Sequence, residues 1–349
     1  MKRQVLICFY FFMTYFGVIK FFYWLNRRKK IILTYHNIIP DNLFDNSLHL
    51  GVSHTQSIFE KQIQLIRRRF MSNSKGKYVN RCLITFDDGY KNQLEVAAKI
   101  LNHHNLQGIF FVSFQSVSTG QALTIDKVMM WMSYIPAGNY RLMGNVIEIN
   151  DSNRCANASR LYEQLLKDYK LWDVIENELN NAFSFDSLPI NSEYARLRFK
   201  PFDFNDLKIL AEKGHLVGSH SWNHIPLSIL PAEKQKEDFS LCVHFANKYC
   251  NSMLYSYPFG GIQEVSPATT TLCQEYGFSA AYLNIPEPPQ WLNVNKNYIL
   301  SRINLPNEKN KYLLDAKLSG FESFCKKASK KIRFIVDNIT CHFQLSQKA

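Results

Sequence analysis

The sequence predicts an α/β fold in which a barrel-like parallel β-sheet is covered by helices, with a helical insertion and a hydrophobic helix at the N-terminus. Helical patterns separate several short apolar runs, and this alternation is typical of a parallel sheet with helices packed on it. About seven such runs favour a closed or nearly closed barrel over an open sheet. The runs lie at 31–36, 82–86, 108–114, 215–219, 253–257, 279–283 and 298–303.

The composition excludes general disorder, because 46% of the 349 residues are hydrophobic and only 20% are charged. The formal net charge of +12 lies at the two ends. Residues 1–30 contain seven Lys/Arg and no acid, residues 309–333 contain eight against two acids, and 31–308 is nearly neutral. A nucleic-acid-binding protein would concentrate this charge on its central domain. Basic ends indicate a membrane surface as partner and no nucleic acid, with two solvated tails as the alternative.

The first element is the apolar stretch from Val5 to Leu25, which is 21 residues long with Lys20 as its only charge. That length is enough to span a bilayer. Ten of its residues are aromatic, so a helix lying in the membrane interface is a close competitor. A removable signal is the weaker interpretation, because no cleavage site with small residues follows the stretch.

Basic residues flank this stretch on both sides. Two precede it and four follow it, at 27–30. The positive-inside bias then predicts that the domain after this stretch lies on the cytoplasmic side of the membrane. The alternative is an exported protein anchored to the membrane. The segment 1–30 is predicted as a hydrophobic, membrane-associated segment.

Residues 31–305 are predicted to form the barrel domain. Helical patterns at Phe59–Phe70, Leu94–Leu101 and Phe204–Glu212 separate its strands, and Gly214 supplies a stop for the last of these helices. The stretch from about 118 to 200 breaks the alternation, with helices expected near 125–135 and 159–182. We expect an insertion on the barrel rim, where such segments shape a substrate site or a partner surface.

The last segment, 306–349, is predicted as a basic C-terminal tail. Apolar residues from Leu313 to Cys325 gather on one helical face and are followed by a basic block at 326–333. This division predicts a helix on an anionic membrane surface with its apolar face towards the lipid. The alternative is that the helix packs on the barrel. Gly320 lies inside the predicted helix and disfavours it in both cases.

The sharpest chemical feature is the run Thr85-Phe86-Asp87-Asp88-Gly89, in which an apolar strand delivers two adjacent carboxylates and a glycine. Neighbouring side chains on a strand point in opposite directions, but the turn that follows can aim both carboxylates at one pocket. One carboxylate can then bind a metal while the other accepts a proton. An ordinary Asp-Gly turn is the alternative.

A second feature follows another apolar run, where His220 and His224 stand four residues apart. Two histidines at this spacing face the same way on one helical turn, which suits a metal. A barrel gathers the C-terminal ends of its strands into one site, so the histidines and the aspartates are expected to meet. One Asp and two His leave a position on Zn²⁺ open for water, as catalytic zinc requires.

A third feature is the loop Tyr255-Ser256-Tyr257-Pro258-Phe259-Gly260. Its Pro and Gly residues fix a turn after a strand, and such turns can present a backbone N–H to a developing oxyanion. Taken alone, the pattern is also compatible with a simple turn.

These three motifs in this order resemble the polysaccharide deacetylases, carbohydrate esterase family 4, with the nodulation-type deacetylase domain. The resemblance covers roughly 31–305. It implies a distorted (β/α)7 barrel and metal-dependent hydrolysis of an N-acetyl or O-acetyl group on a sugar. By matching positions, Asp87 resembles the general base, and Asp88, His220 and His224 resemble the metal ligands. The backbone N–H of Tyr257 resembles an oxyanion donor.

Two positions depart from the family pattern. Many members have Arg where this chain has Ser256, and the late Leu-x-x-His motif is missing. One branch opens its domain with a Leu-x-Tyr-His strand, and residues 33–36 resemble that opening, which makes His36 the expected general acid. A strand-end histidine with a structural role is the alternative. Arg302, in the last strand, is the candidate to replace the missing guanidinium beside Asp87.

We therefore expect a membrane-associated carbohydrate deacetylase that acts on a carbon–nitrogen bond other than a peptide bond. Its cofactor would be a divalent metal, with Zn²⁺ preferred, and its substrate an acetylated polysaccharide, oligosaccharide or glycolipid. The alternatives are an O-deacetylase on the same fold and a non-catalytic glycan-binding barrel. The intact Asp87, Asp88, His220 and His224 argue against loss of catalysis, whereas Ser256 argues mildly for it.

Overall fold

The computed structural model describes residues 2–44, 53–74, 77–182, 192–287 and 294–329. The chain divides into two compact units. The barrel unit is Ile31–Asn307, and the terminal unit combines Met1–Lys30 with Glu308–Ala349. Each unit is described by itself below.

The described strands, in chain order, are β1 (Ile31–Tyr35), β2 (Asn37–Ile39), β3 (Ser53–Thr55), β4 (Met71–Ser74), β5 (Lys77–Asn80), β6 (Cys82–Phe86), β7 (Gly108–Val112), β8 (Gly138–Leu142), β9 (Asn145–Ile149), β10 (Leu216–Ser219), β11 (Leu254–Ser256), β12 (Ala280–Tyr282) and β13 (Ile303–Asn304). The helices are α1 (Lys2–Tyr15), α2 (Val18–Leu25), α3 (Gln56–Phe70), α4 (Lys99–His103), α5 (Phe114–Thr119), α6 (Thr124–Tyr134), α7 (Arg154–Leu165), α8 (Lys170–Ala182), α9 (Ser192–Phe199), α10 (Phe204–Glu212), α11 (Ala232–Tyr249), α12 (Pro267–Glu275) and α13 (Lys311–Leu318).

Seven parallel strands form the sheet of the barrel unit, in the order β12-β11-β10-β7-β6-β1-β13. Each predicted apolar run contributes one of them, so the predicted fold class is confirmed. The sheet curls because residues 300–304 form hydrogen bonds with β12 at one side of the sheet and with β1 at the other. Leu300 donates its N–H to Ala281 and accepts one from Leu283, and Ile303 then pairs with Leu33 in β1.

The two faces of the curled sheet have different surroundings. Phe86 in β6 and Phe110 in β7 stack with 4.7 Å between their ring centroids, and Phe86 also packs against Phe59 of α3. The opposite face contains Leu83 and Phe111, within an apolar cluster formed by alternate residues of several strands. Because side chains alternate along a strand, Thr85 and Asp87 continue this inner face towards the carboxyl end of β6.

The predicted helices of the barrel unit are found. The pattern at 59–70 lies in α3, which Thr55 caps by accepting the N–H of Ile58. The pattern at 204–212 is α10, which begins with a capping box between Asp203 and Asp206. The pattern at 94–101 begins with a π-helical stretch, Gln93–Ala98, that continues into α4.

The stretch from 118 to 200 contains α6 to α9 and one hairpin. The single helix expected at 159–182 is two helices, α7 and α8, separated at 166–169. The hairpin of β8 and β9 was not predicted. Met143 and Gly144 form its two-residue turn with positive φ at both positions, which matches the twist of a hairpin.

In the terminal unit, α1 and α2 are separated at Gly17, which has a φ of 77°. No single described helix is long and apolar enough to cross a bilayer. The two helices pass that test only as a pair, and they are bent by 72° where they meet. The stretch from Val5 to Leu25 is therefore not one straight helix in this structure.

The C-terminal segment of the same unit comprises α13 and a helical stretch at 321–329, with Gly320 between them at a φ of 86°. The sequence predicted that the apolar face of this segment is directed towards lipid. In the structure this face is buried within the terminal unit instead. Phe321 is buried in a cluster with Tyr10 and Ile19 of the N-terminal helices, and Leu314 and Leu318 are also buried. The predicted orientation of this face is wrong, because an amphipathic pattern does not specify what covers the apolar side.

Candidate active site

Strand ends bring the predicted site residues together at one end of the barrel. His36 follows β1, Asp87 and Asp88 follow β6, and His220 follows β10, while Arg302 directly precedes β13. Parallel strands direct the residues at their carboxyl ends to the same edge, where barrel enzymes place their sites.

The turn after β6 separates the directions of the two aspartates. Asp88 has a φ of 78° and Gly89 a φ of 79°, two consecutive left-handed residues. A side chain at Gly89 would place its Cβ 2.9 Å from Cγ1 of Val112, closer than such atoms approach. This turn aims Asp88 towards the histidines, while Asp87 stays on the inner face of the barrel.

The two histidines come from a loop and not from the predicted helical turn. Ser221 and His224 have φ values of 64° and 60°, and the Ser221 hydroxyl accepts the His224 N–H at 2.9 Å. Asp238, buried in α11, accepts the N–H of Trp222 at 2.9 Å. The prediction of a helical turn was wrong, because the spacing of four residues also suits a tight loop.

Among the described residues, Asp88, His220 and His224 are the one group of three or more His, Cys, Asp or Glu side chains whose donor atoms converge. All three are buried, and the donor atoms lie within 4.8 Å of one another. Oδ1 of Asp88 is 3.5 Å from Nε2 of His220 and 3.2 Å from Nε2 of His224. Donors at about 2.05 Å from a tetrahedral metal lie about 3.3 Å apart, so the group fits such an ion.

The hydrogen bond made by Nδ1 of His220 supports the interpretation of this group as a metal site. Nδ1 lies 2.7 Å from the carbonyl oxygen of Ser256, so Nδ1–H is the donor and Nε2 keeps its lone pair for a metal. Within the described part of the chain, Nδ1 of His224 is buried and makes no hydrogen bond. The donor set of one carboxylate and two imidazoles is typical of catalytic zinc sites.

Asp87 is held by Arg302, which is fully buried. The two terminal nitrogens of the guanidinium donate to Oδ1 and Oδ2 at 2.7 and 2.6 Å, a bidentate pair. Arg302 also donates to the Ser256 hydroxyl at 2.9 Å and to the carbonyl oxygen of Leu283 at 3.0 Å. The guanidinium thus lies beside Asp87 although Ser256 occupies the position where many family members have Arg.

Electrostatics keep both carboxylates ionised. Burial acts to raise the pKa of Asp87, but the charges of Arg302 and His220 outweigh it, so the pKa lies below its ordinary value. Burial also opposes ionisation of Asp88, yet His220 and His224 hold its pKa well below the ordinary range. Asp87 is therefore available as a proton acceptor at neutral pH.

His36 lies within the electrostatic reach of both carboxylates. Burial lowers its pKa, and the charges of Asp88 and Asp87 only partly oppose this. Its Nδ1 is buried and has no hydrogen-bond partner among the described residues, while its carbonyl oxygen accepts a bond from Gln93 at 2.8 Å. The imidazole is therefore not fixed by the strand-end hydrogen bond that a purely structural role would supply.

The backbone N–H of Tyr257, the predicted oxyanion donor, is already engaged. It donates to the carbonyl oxygen of Tyr282 at 3.1 Å and continues the pairing of β11 with β12. This bond argues against the predicted role. In the same loop the N–H of Phe259 makes no hydrogen bond with any described residue.

Sequence reasoning also missed an aromatic wall beside the site. The ring of Phe259 lies 4.8 Å from that of His224. Tyr162 of α7 and Trp172 of α8 pack edge-on against Phe259 at 5.8 and 6.2 Å. The insertion therefore reaches Phe259, whose ring packs on His224, and no sequence motif indicated this contact.

At one end of the barrel the structure thus has an Asp/His/His group that could hold a metal ion, beside an aspartate paired with Arg302. Residues 192–281 match the family model for polysaccharide deacetylase. The matched stretch is about a quarter of the chain and contains His220 and His224 but neither Asp87 nor Asp88. This match supports deacetylation of a sugar as the general activity. No curated protein matches the chain.

Several solved deacetylase structures match the chain at low identity, and one of them has a TM-score above 0.5, which indicates a similar fold. The Streptococcus pyogenes deacetylase PplD in complex with acetate is 14% identical over 82% of this chain and 96% of its own, with a TM-score of 0.51. IcaB from Ammonifex degensii is 14% identical over 83% and 97%, with a TM-score of 0.46. A de-N-acetylase from Aggregatibacter actinomycetemcomitans is 10% identical over 80% and 95%, with a TM-score of 0.48.

Proposed function

We propose that the protein is a metal-dependent hydrolase that removes an acetyl group, in the first place an N-acetyl group, from a sugar of a polysaccharide, oligosaccharide or glycolipid. The observation that carries the proposal is the pairing of two different carboxylates at one strand end. Asp88 faces two imidazole nitrogens, and Asp87 faces the guanidinium of Arg302. One carboxylate is built to bind a metal and the other to accept a proton.

A divalent ion at Asp88, His220 and His224, with Zn²⁺ preferred, would polarise the acetyl carbonyl and make a water molecule acidic. Asp87 would accept the proton of that water. Its two oxygens each accept one hydrogen bond from Arg302, and each keeps a further lone pair. Arg302 holds the carboxylate in place and keeps it ionised, which is a positioning role.

The leaving amine needs a proton when the bond to the acetyl carbon breaks. We assign this step to His36, because its Nδ1 makes no hydrogen bond to the described residues. Burial lowers the pKa of His36, and the charges of Asp88 and Asp87 oppose this lowering only in part. The N–H of Phe259, which makes no hydrogen bond to the described part of the chain, lies in the loop that contacts His224 and replaces Tyr257 as the candidate for oxyanion stabilisation.

We also propose that the protein works at a membrane surface. The support is the basic charge of residues 1–30 and 309–333 and the exposure of large apolar side chains along α1 and α2. The substrate would then be a glycolipid or a glycan close to the bilayer.

Acetate release from a panel of sugars tests the proposed activity. The panel contains N-acetylglucosamine oligomers, a glycolipid with the same head group and an O-acetylated sugar, each with and without a chelator. We expect chelator-sensitive release from the N-acetyl compounds. Release only from the O-acetylated sugar would make the protein an O-deacetylase, and metal-loaded protein that releases no acetate from any compound would contradict the proposal.

A further inference from the structure

The helices α1 and α2 expose most of their large apolar side chains. Tyr15 is 76% exposed, Phe16 71%, Phe12 52% and Trp24 56%. Val5, Phe9 and Phe12 on α1 and Phe16 directly after it are spaced four, three and four residues apart, which places them in one row. The outer aromatic face, as we name it, consists of Val5, Phe9, Phe12, Phe16, Phe21, Trp24 and Leu25. An exposed apolar surface of this kind marks an interaction site.

The charges around this face favour a lipid surface as its occupant. Residues 1–30 contain no acidic side chain. Lys20 is exposed on α2, and the four basic residues at 27–30 are exposed directly after it. Aromatic rings next to Lys and Arg match the interface of a bilayer that contains anionic lipid.

The bend between the helices argues against a spanning segment. The 14 residues of α1 extend about 21 Å, which is shorter than the hydrocarbon core of about 30 Å. The pair would reach across a bilayer only if the 72° bend were straightened.

Contacts from the C-terminal segment hold the bend. The ring of Phe321 lies 6.1 Å from that of Tyr10 in α1 and 5.1 Å from that of Phe22 in α2, so one side chain packs against both helices. The hydroxyl of Tyr23 donates to Asp315 at 2.7 Å. The side chain of Asn26 donates to the carbonyl oxygen of Ser319 at 2.8 Å. Straightening the pair would break these contacts with α2.

We propose that α1 and α2 form an interfacial anchor that binds the surface of an anionic bilayer without crossing it, and that residues 308–329 hold this anchor bent. The inference rests on the proposed membrane association and adds its geometry. It requires that residue 1 and the barrel unit lie on the same side of the membrane.

A protease-protection experiment on the full chain tests this geometry. The chain is expressed with an epitope tag before residue 1, and sealed membrane vesicles of one orientation are treated with protease. We expect the tag and the barrel unit to be digested together in one orientation and protected together in the other. A tag that is protected where the barrel is digested would overturn the interfacial geometry while leaving membrane association intact.

A vesicle-binding experiment distinguishes failure of the interfacial geometry from failure of the proposed membrane association. Full-length protein is sedimented with vesicles of phosphatidylcholine containing phosphatidylglycerol. Replacing Phe12, Phe16 and Trp24 by Ser should weaken binding at least about tenfold. The matched control replaces Val146 and Ile262, two exposed apolar residues of the barrel unit, by Ser. This control variant should bind vesicles as the wild type does. Wild-type protein that stays unbound would refute membrane association itself, and equal binding of both variants would remove the outer aromatic face from it.

Discussion

At the scale of single residues, Arg302 has the largest effect on the protonation of Asp87, the proposed proton acceptor. It is fully buried and its guanidinium makes hydrogen bonds to Asp87, Thr85, Ser256 and the carbonyl oxygen of Leu283. A buried carboxylate without such a partner would be strongly disfavoured in its charged form. Arg302 therefore keeps Asp87 able to accept a proton.

We predict that Arg302→Met lowers the free energy of unfolding by about 3–5 kcal/mol, because Asp87 is left as an unpaired buried charge. Asp87→Asn in the same chain should restore part of the loss, since an amide carries no charge. Denaturant unfolding of the single and double variants measures both effects. A double variant less stable than Arg302→Met would argue that the pair does not act as a unit.

His36 is expected to impose a pH dependence on amide hydrolysis. Its pKa is lowered, first by burial, and a proton donor is available only below that pKa. As pH rises through this lowered value, kcat/KM for N-acetyl substrates should fall. His36→Ala should lose this alkaline limb and should slow amides far more than activated esters, whose leaving group needs no proton. Equal losses on amides and esters would indicate that His36 has a structural role instead.

At the scale of elements, the insertion completes one side of the site. Helix α7 brings Tyr162 and helix α8 brings Trp172 to Phe259, which packs on His224. Burial raises the pKa of Tyr162 to about 12, and the charges of Glu264 and Asp88 add to this effect. The wall is therefore in a position to contact a bound sugar.

We predict that Tyr162→Ala raises KM for an N-acetylglucosamine oligomer roughly tenfold, about 1.4 kcal/mol of lost binding. The kcat should change little, and hydrolysis of a small aryl acetate should be unaffected, because a small ester does not reach the wall. Tyr169→Ala, on the loop between α7 and α8, is the matched control. An equal loss on both substrates would place Tyr162 in the folding of the site and not in sugar binding.

Most of the seven barrel strands could be predicted because they lie in apolar runs that are largely buried, as in β6 and β7, whereas the half-buried β13 overlaps its predicted run only at Ile303. The hairpin of β8 and β9 could not, since most of its residues are at least partly exposed and its strands lack a clear apolar period. The histidine pair was located correctly but assigned to a helix, because only φ at Ser221 and His224 distinguishes the loop. Phe259 and Tyr162 meet through tertiary packing that no local motif records.

At the scale of the whole molecule, we propose that the barrel unit carries out catalysis and that the terminal unit binds the membrane. The barrel unit, Ile31–Asn307, contains every residue assigned to chemistry, and the terminal unit contains both basic ends. The apolar face of the C-terminal segment was predicted to meet lipid. It instead packs on the N-terminal helices, because an amphipathic helix buries its apolar side against whichever partner is present.

We predict that residues 31–307 alone keep their metal and release acetate from a water-soluble sugar within about threefold of the full chain, a difference of about 0.7 kcal/mol. The same fragment should no longer sediment with anionic vesicles. Metal analysis with an acetate assay measures the first effect and vesicle sedimentation the second, while circular dichroism checks that the fragment is folded. A fragment that stays folded and still binds vesicles would place the membrane contact on the barrel unit.

The most direct test of the central claim measures metal content and acetate release on the same samples of wild type, Asp87→Asn and His220→Ala. We predict one bound metal per chain in wild type and in Asp87→Asn. Acetate release should fall about 10²–10⁴-fold in Asp87→Asn because the proton acceptor is lost. His220→Ala should lose metal and activity together. Stoichiometric metal in His220→Ala, or undiminished release by Asp87→Asn, would contradict the assignment of one aspartate to the metal and the other to the proton.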